Sequence, residues 1–252
     1  MEIKILGSVS PYCKDDKNCV GYLIKSNDNK ILLDCGNGIA RNMNITTDLN
    51  NLTIIISHLH KDHYGELLSL GYASYINNRL GYLKDRIKVY LPKTNKDIPD
   101  LEYLNNFGNE HYMEFIIYDY NTKLNIGDLE VSFKLNPHQI NTYSTKIKEN
   151  NKIFVYSADT GFKNNSLFEF AKETDILLCE STYLIGQTKS SDNHLYAYEA
   201  GMIAKEANVK QLVLTHFYPE IDRELYKLEA REYFKNTDIA IENKVYKLGG
   251  IK

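Results

Sequence analysis

The sequence lacks long apolar runs and has few cysteines. None of its hydrophobic stretches approaches the roughly 18 residues of a membrane-spanning helix. The N-terminus has no basic region followed by an apolar one, so we expect no signal peptide and no membrane partner. The four cysteines are scattered and form no C-x-x-C pair. We therefore expect a cytoplasmic protein with reduced thiols and without a cysteine metal site.

Positive charge is not in excess either. Lys and Arg number 30 against 33 Asp and Glu, and the net charge of −3 argues against a protein that binds long nucleic acid or an anionic membrane. Hydrophobic residues make up 43% of the chain and charged residues 25%, which is the balance of an ordinary globular protein. Since no linker or low-complexity segment interrupts the 252 residues, the sequence predicts one domain over residues 1–252.

Short apolar and β-branched runs alternate with segments of helical periodicity. The runs that predict strands are 1–7, 20–25, 30–33, 52–56, 87–91, 115–118, 129–135, 153–156, 175–178 and 211–214. The predicted helices cover residues 66–80, 196–207 and 223–234. Asn-rich turns at 26–29 and 149–151 predict hairpins, because Asn tolerates a positive φ. The pattern indicates an α/β domain whose helices cover the faces of sheets.

Four of the predicted strands end in a side chain that can bind a metal or a proton. These side chains are His58, Asp159, Glu180 and His216. In sheet-based α/β proteins, ligand sites lie beyond the carboxyl ends of the strands. We therefore expect these strand ends to meet at one edge of the fold.

The strongest chemical signal is the segment His58-Leu59-His60-Lys61-Asp62-His63. His58 and His60 are two residues apart, so on extended chain they point to the same side. Asp62 and His63 follow where the chain turns into the next predicted helix, and they can face a second position. Imidazole and carboxylate ligands suit Zn²⁺, with Mn²⁺ and Fe²⁺ as alternatives.

Three candidate ligands lie further along the chain, namely His138, Asp159 and His216. Together with the first segment they make five histidines and two aspartates, enough for two divalent metal ions that share a carboxylate and a water. No glycine-rich phosphate loop and no Ser or Cys nucleophile arrangement competes with this cluster. The sequence therefore predicts a metal-dependent enzyme.

The order of these motifs resembles the metallo-β-lactamase-fold superfamily. The L-L-D-C-G segment at 32–36 and the N-C-x-G-Y-L-I segment at 18–24 also match, so the resemblance covers residues 1 to about 216. It implies a four-layer αββα sandwich with a dinuclear metal site on one edge. It also implies that Asp34 supports the site, although this residue could equally cap a turn.

The resemblance assigns each predicted ligand to one of two metal ions. The first ion would be held by His58, His60 and His138. The second ion would be held by Asp62, His63 and His216. Asp159 would bridge the two.

A later stretch narrows the resemblance to the phosphodiesterase branch of the superfamily, which includes ribonuclease Z. The stretch consists of E-S-T-Y at 180–183 and H-L-x-A-x-E-A-G-x-x-A at 194–204. That branch places an extra histidine, here His194, beside the scissile phosphate. We therefore predict that His194 and Asp62 take part in catalysis. The simpler reading of His194 is a surface histidine at the start of a helix.

The chain also departs from ribonuclease Z. Only 20 residues separate His138 from Asp159, which leaves no room for the long arm that grips transfer RNA in those enzymes. The compact spacing is more similar to small phosphodiesterases, such as the cyclic-phosphate phosphodiesterase of phosphonate metabolism. We therefore predict hydrolysis of a small phosphodiester or cyclic phosphate by a metal-bridging hydroxide, with a small molecule as partner and a homodimer left open. The alternatives are a lactone or thioester hydrolase and a non-catalytic metal-bearing binding protein.

Overall fold

The structure, a computed structural model, describes residues 1–94, 100–163, 166–187 and 192–248. Within these ranges the chain forms two seven-stranded sheets. The strands are β1 (Glu2–Gly7), β2 (Gly21–Ser26), β3 (Asn29–Leu33), β4 (Leu52–Ile55), β5 (Ile87–Pro92), β6 (Met113–Tyr118), β7 (Lys123–Ile126), β8 (Leu129–Leu135), β9 (Tyr143–Glu149), β10 (Lys152–Tyr156), β11 (Ile176–Glu180), β12 (Gln211–Thr215), β13 (Thr237–Ile239) and β14 (Val245–Lys247). The α-helices are α1 (Ile45–Asp48), α2 (Lys61–Tyr64), α3 (Leu67–Arg79), α4 (Asp100–Glu110), α5 (Leu167–Phe170), α6 (Ala197–Glu206) and α7 (Arg223–Arg231), and a 3-10 turn covers Ile39–Asn42.

Each sheet combines antiparallel and parallel pairing. The first has the order β14-β1-β2-β3-β4-β5-β6, with antiparallel pairs up to β3 and parallel pairs from β3 to β6. The second has the order β13-β12-β11-β10-β9-β8-β7, with parallel pairs from β13 to β10 and antiparallel pairs beyond. The predicted hairpins join β2 to β3 and β9 to β10. Asn27 and Asn150 occupy their turns with φ of 51° and 52°.

The two sheets pack face to face. One buried cluster contains Tyr22 and Ile24 from the first sheet with Phe154 and Leu177 from the second. A second cluster lies on the other side of the first sheet, where α3 contributes Leu67. Helix α6 packs against β11 and β12, and α7 packs against β13. The resulting helix, sheet, sheet and helix layers confirm the predicted α/β sandwich.

Several elements are not in the sequence prediction. Helix α4 is one of them, and it carries a glycine, Gly108, among several asparagines, which weakens a helical pattern. Strands β7, β13 and β14 are short and lie at sheet edges, where alternation is hard to recognise. The predicted domain runs to residue 252, but residues 249–252 lie outside the described residues.

The four cysteines are free thiols, and Cys35 and Cys179 are buried near strand ends. Among the described residues, no helix combines the length and the apolar character needed to cross a membrane.

Candidate metal centre

The carboxyl ends of the central strands bring the predicted ligands together. His58 follows β4 of the first sheet, whereas Asp159 and His216 follow β10 and β12 of the second. The backbone of His216 has a φ of 64°, in the left-handed region, which turns the chain sharply at the end of β12. Strands that are far apart in the sequence thus place these side chains at one edge of the sandwich.

The first group of donors consists of His58, His60, His138 and Asp159, whose ligand atoms all lie within 4.8 Å of one another. The Nε2 of His58 is 3.0 Å from Nδ1 of His60, and the Nε2 of His138 is 3.3 Å from the same atom. Three imidazole nitrogens therefore converge on one point, which is the arrangement that a cation requires.

The second group consists of Asp62, His63 and His216. The Nε2 atoms of the two histidines are 3.3 Å apart, and Oδ2 of Asp62 lies 3.6 Å from each of them. All three side chains are buried, so their polar atoms are removed from bulk water. This group lies beside the first and offers a second position.

Asp159 lies between the two groups. Its Oδ2 is 3.5 Å from Nε2 of His58 and 3.7 Å from Nε2 of His138. Its Oδ1 is 3.4 Å from Nε2 of His63 and 3.2 Å from Nε2 of His216. Each carboxylate oxygen thus faces one group, as a bridging ligand would.

The donor atoms of the two groups suit a divalent metal ion. Oδ1 of Asp159 is buried and receives no hydrogen bond of acceptable geometry from the described residues. A buried carboxylate oxygen without a donor is costly unless a cation compensates it. Nitrogen and carboxylate donors at these separations suit a divalent transition-metal ion. The cluster is therefore a candidate metal centre.

Buried neighbours hold the ligands in place. Asp34 accepts hydrogen bonds from the backbone N–H and the hydroxyl of Ser57 and from the hydroxyl of Tyr156, and its Oδ2 lies 2.8 Å from Nδ1 of His63. A carboxylate on Nδ1 orients the ring and leaves Nε2 for metal. Asp34 thus supports the site as the sequence resemblance implies.

Other ligands have partners of the same kind. Ser10 donates a hydrogen bond of 2.7 Å to Oδ2 of Asp62. Nδ1 of His138 lies 2.9 Å from the carbonyl oxygen of Asn193, and Nδ1 of His216 lies 2.8 Å from the hydroxyl of Thr182. Ser10 and Asn193 were not among the predicted site residues, because no local motif marks them, and Thr182 belongs to the E-S-T-Y motif but was assigned no role.

His194 lies at the rim of the centre, with its side chain 19% exposed. Its Nδ1 is 3.0 Å from Oε1 of Glu180 and 3.8 Å from Oδ2 of Asp159, and its ring stacks on that of His216 at a centroid distance of 5.3 Å. The sequence analysis names Glu180 as a strand end and as part of the E-S-T-Y motif but assigns it no role in the site. The structure places its carboxylate, which also accepts hydrogen bonds from Thr160 N–H and Thr182, directly behind His194.

Burial and charge act on these groups in opposite directions. Burial would lower the pKa of His194, but the carboxylates of Glu180 and Asp159 outweigh it and raise the pKa to about 9. For His60, burial dominates and lowers the pKa to about 4. Burial thus favours the neutral form of His60, which has a lone pair for metal, whereas the two carboxylates favour the protonated form of His194.

Tyr12, Tyr64, Tyr183 and Tyr218 stand next to motif residues in the sequence, and two of these four are buried. Tyr64 and Tyr183 are each 5% exposed. Tyr12 is 48% exposed, and its hydroxyl donates to Glu220. The ring of Tyr183 lies 5.8 Å from that of His194 and 6.3 Å from that of Tyr218. An aromatic group therefore borders the centre on the side of His194.

Comparison with known sequences identifies relatives along nearly the whole chain. The family model described as "Anti-Pycsar protein Apyc1" matches residues 1–237. The "Probable metallo-hydrolase YhfI" of Bacillus subtilis is 27% identical over 217 residues, which is 86% of each chain. A "Ribonuclease Z" of Clostridium kluyveri is 25% identical over 295 residues, covering 95% of each chain.

Solved structures show the same relationship. The metallo-β-lactamase-fold protein YhfI of Bacillus subtilis superposes with a TM-score of 0.88 at 25% identity, over 97% of this chain and 98% of the other. A diphosphatase from the PhnP family superposes with a TM-score of 0.74 at 14% identity, over 98% of both chains, which shows a common fold. The predicted relationship to metallo-β-lactamase-fold proteins, with ribonuclease Z among the relatives, is confirmed.

Proposed function

This chain belongs to the Anti-Pycsar protein Apyc1 family, and from that premise we propose that it is a metal-dependent phosphodiesterase acting on a small phosphodiester or cyclic phosphate. The observation that carries the proposal is the pair formed by His194 and Glu180 at the rim of the metal centre. A protonated imidazole there can stabilise negative charge that develops on a phosphate or its leaving oxygen.

We propose that the centre holds two divalent cations, with Zn²⁺ as the first candidate. His58, His60 and His138 would bind one, and Asp62, His63 and His216 the other. The two oxygens of Asp159, which face different groups, support its role as a bridge. When bound, such cations supply a hydroxide nucleophile at neutral pH and offset charge on the phosphoryl oxygens.

The protein's own residues would then orient the reaction. Asp62, which accepts a hydrogen bond from Ser10, would accept another from the attacking water and so direct it. Because Nδ1 of His194 is engaged by Glu180, Nε2 is the atom that can donate a proton to the leaving oxygen. In this proposal Asp62 directs the attacking water, and His194 donates the proton to the leaving oxygen.

The short segment between His138 and Asp159 supports a small substrate. That segment contains the tight β9–β10 hairpin, with antiparallel pairing from Lys152↔Glu149 to Tyr156↔Thr145. A hairpin of this length has no extension that could grip a macromolecule. Together with the net charge of −3, it supports a small-molecule substrate over a long nucleic acid.

The direct test is a panel of chromogenic phosphodiester, phosphomonoester, lactone and thioester substrates, with metal content measured on the same preparation. We expect phosphodiesters to be hydrolysed fastest and the metal content to approach two equivalents per chain. His58→Ala, the control, should lose metal and activity together. A preference for lactones or thioesters would identify a carboxyl-ester hydrolase on the same centre. Inactivity on every ester, with metal bound, would support a binding protein instead.

A further inference from the structure

A groove of about 720 Å³ lies outside the candidate metal centre, and none of the seven proposed ligands lines it. It is formed by strands β8 and β9, helix α5 and the segment before β7. Along β8 and β9, Val131 and Ile147 point into the core between the sheets. Lys134 and Lys146 alternate with the inward-facing positions, so they lie on the opposite face of the sheet and line the groove.

The two lysines are diagonal neighbours on that face. Lys134 is paired in register with Ser144, and Lys146 stands two residues further along β9. Diagonal neighbours on a sheet are about 7–8 Å apart at the backbone, within reach of long side chains. Two amines can therefore approach a single anionic group.

Neither amine has a carboxylate partner within the part of the chain that the structure describes. Nζ of Lys134 donates only to oxygens of neutral groups, the carbonyl of Leu135 at 3.2 Å and the amide of Asn136 at 3.3 Å. Nζ of Lys146 lies 4.4 Å from the ring centroid of Phe170. Burial lowers the pKa of both lysines, that of Lys134 to about 8. Two partly buried cations without an opposite charge favour an anion beside them.

The rest of the lining is largely apolar. Phe170 is half-buried, and Tyr120 is 56% exposed. Glu169 is the acidic side chain of the lining, and it is exposed to solvent, where its charge is screened. The groove thus combines positive charge with an aromatic and aliphatic surface.

We propose that this groove binds a small amphipathic anion, with one carboxylate, sulfonate or phosphate group at Lys134 and Lys146 and an aromatic or aliphatic body against Phe170 and Tyr120. Charge complementarity selects the anion, because the amines lack a carboxylate partner. The apolar walls select its body, since burying apolar surface contributes about 25 cal/mol per Å². The site is independent of the reaction proposed for the metal centre.

The test uses 8-anilinonaphthalene-1-sulfonate, an aromatic sulfonate whose fluorescence increases in apolar surroundings. The chain contains no tryptophan, so no indole emission overlaps the titration. We expect saturable binding by the wild-type protein. The double variant Lys134→Met/Lys146→Met should raise the Kd for the probe at least about tenfold. The charge-assisted contacts are lost in this variant, while the apolar walls remain.

Three controls make the result specific. Lys148→Met removes a lysine from the same strand but outside the groove, and it should bind the probe as the wild type does. The double variant Lys134→Arg/Lys146→Arg keeps both charges and should retain binding even if the methionine pair fails to fold. The neutral analogue N-phenyl-1-naphthylamine should bind at least about tenfold more weakly.

Three results would overturn the proposal. One is probe affinity within about twofold of wild type in a folded methionine double variant. The other is equal affinity of the wild type for the neutral naphthylamine and the sulfonate. Loss of binding in Lys148→Met to the same degree would also place the probe elsewhere and count against this groove.

Discussion

At the scale of single residues, the site depends on how carboxylates are shared. Asp34 is fully buried, yet it has partners in Ser57, His63 and Tyr156, which come from different strands and loops. Asp159 faces both groups of imidazoles with its two oxygens. Glu180 accepts from two backbone N–H groups and from Thr182 while it contacts His194. Each of these three carboxylates thus lies beside at least one histidine of the site.

His194→Ala should leave metal content and fold intact, because His194 is not one of the seven proposed ligands. If His194 protonates the leaving oxygen, its loss removes an interaction made mainly in the transition state. We expect kcat and kcat/KM on an alkyl phosphodiester to fall together by about 10²–10⁴, with little change in KM. Steady-state kinetics alongside elemental analysis would measure this.

The leaving group provides the internal control for this variant. A nitrophenyl ester should be affected less, since nitrophenolate leaves without a proton. His111→Ala, which alters a histidine stacked on Phe107 and distant in sequence from the motifs, should keep wild-type kcat. Wild-type kcat of His194→Ala on an alkyl ester would mean that His194 is a surface histidine without a role in the reaction.

Glu180→Gln tests the residue behind His194. Glutamine keeps the size and the hydrogen-bond acceptor but removes the charge that stabilises the imidazolium. We expect kcat on an alkyl phosphodiester to fall about 10–100-fold, with metal content unchanged, because residues that orient the reacting groups typically contribute that much. The same dependence on leaving group as for His194→Ala is the signature of a positioning residue. A uniform loss on all esters would indicate a structural role instead.

At the scale of elements, the parallel strands have a polar cluster at each end. Their carboxyl ends carry the candidate metal centre. At the opposite end of β10, β11 and β12, Asp175 accepts from the backbone N–H of Ile153 at 2.8 Å and from Nζ of Lys210 at 2.7 Å. Asp175 therefore ties the starts of three strands together.

Asp175→Asn should destabilise the protein in a pH-dependent way. Burial would raise the pKa of Asp175, but Lys210, the N–H of Ile153 and Lys152 together lower it below its usual value near 3.8. A carboxylate whose pKa is lowered on folding stabilises the folded state at pH values above its pKa in the unfolded chain. This contribution is lost as the pH falls through its pKa in the folded protein. We expect a loss of about 1–2 kcal/mol at neutral pH.

The measurement is the free energy of unfolding of wild type and variant in denaturant at neutral pH and at pH values from about 4 downwards. The difference between the two proteins should shrink as the pH falls. Glu206→Gln, at an exposed position on α6, should show a difference close to zero at each pH. A difference that stays constant with pH would rule out an electrostatic origin.

At the scale of the whole molecule, the described sandwich has no long arm inserted between His138 and Asp159. The chain between His138 and Asp159 consists of β9, β10 and short connections. We expect weak binding of transfer RNA and no efficient cleavage of the 3′ end of its precursor, while small phosphodiesters are hydrolysed. A cleavage assay with a ribonuclease Z as positive control would check this. Efficient cleavage of the precursor at one site would contradict it.

Much of the fold and of the donor set was accessible from the sequence alone. Local patterns carry that information: β-branched runs predict β4, β10 and β12, Asn predicts the two hairpin turns, and His58 to His63 lie within six residues. Alternation fails where strands are short and at an edge, as in β13 and β14. Helix α4 was missed because Gly and Asn weaken its pattern.

What only the tertiary structure decided is how distant side chains meet. The bond from Tyr156 to Asp34 joins residues 122 positions apart, and that from Ser10 to Asp62 spans 52 positions. The same holds for Glu180 behind His194 and for Lys134 and Lys146 beside Phe170. Residue type and spacing specify which groups could bind a metal or an anion. Sheet order and register, which depend on packing across the whole chain, determine which of them face one another and which are left without an opposite charge.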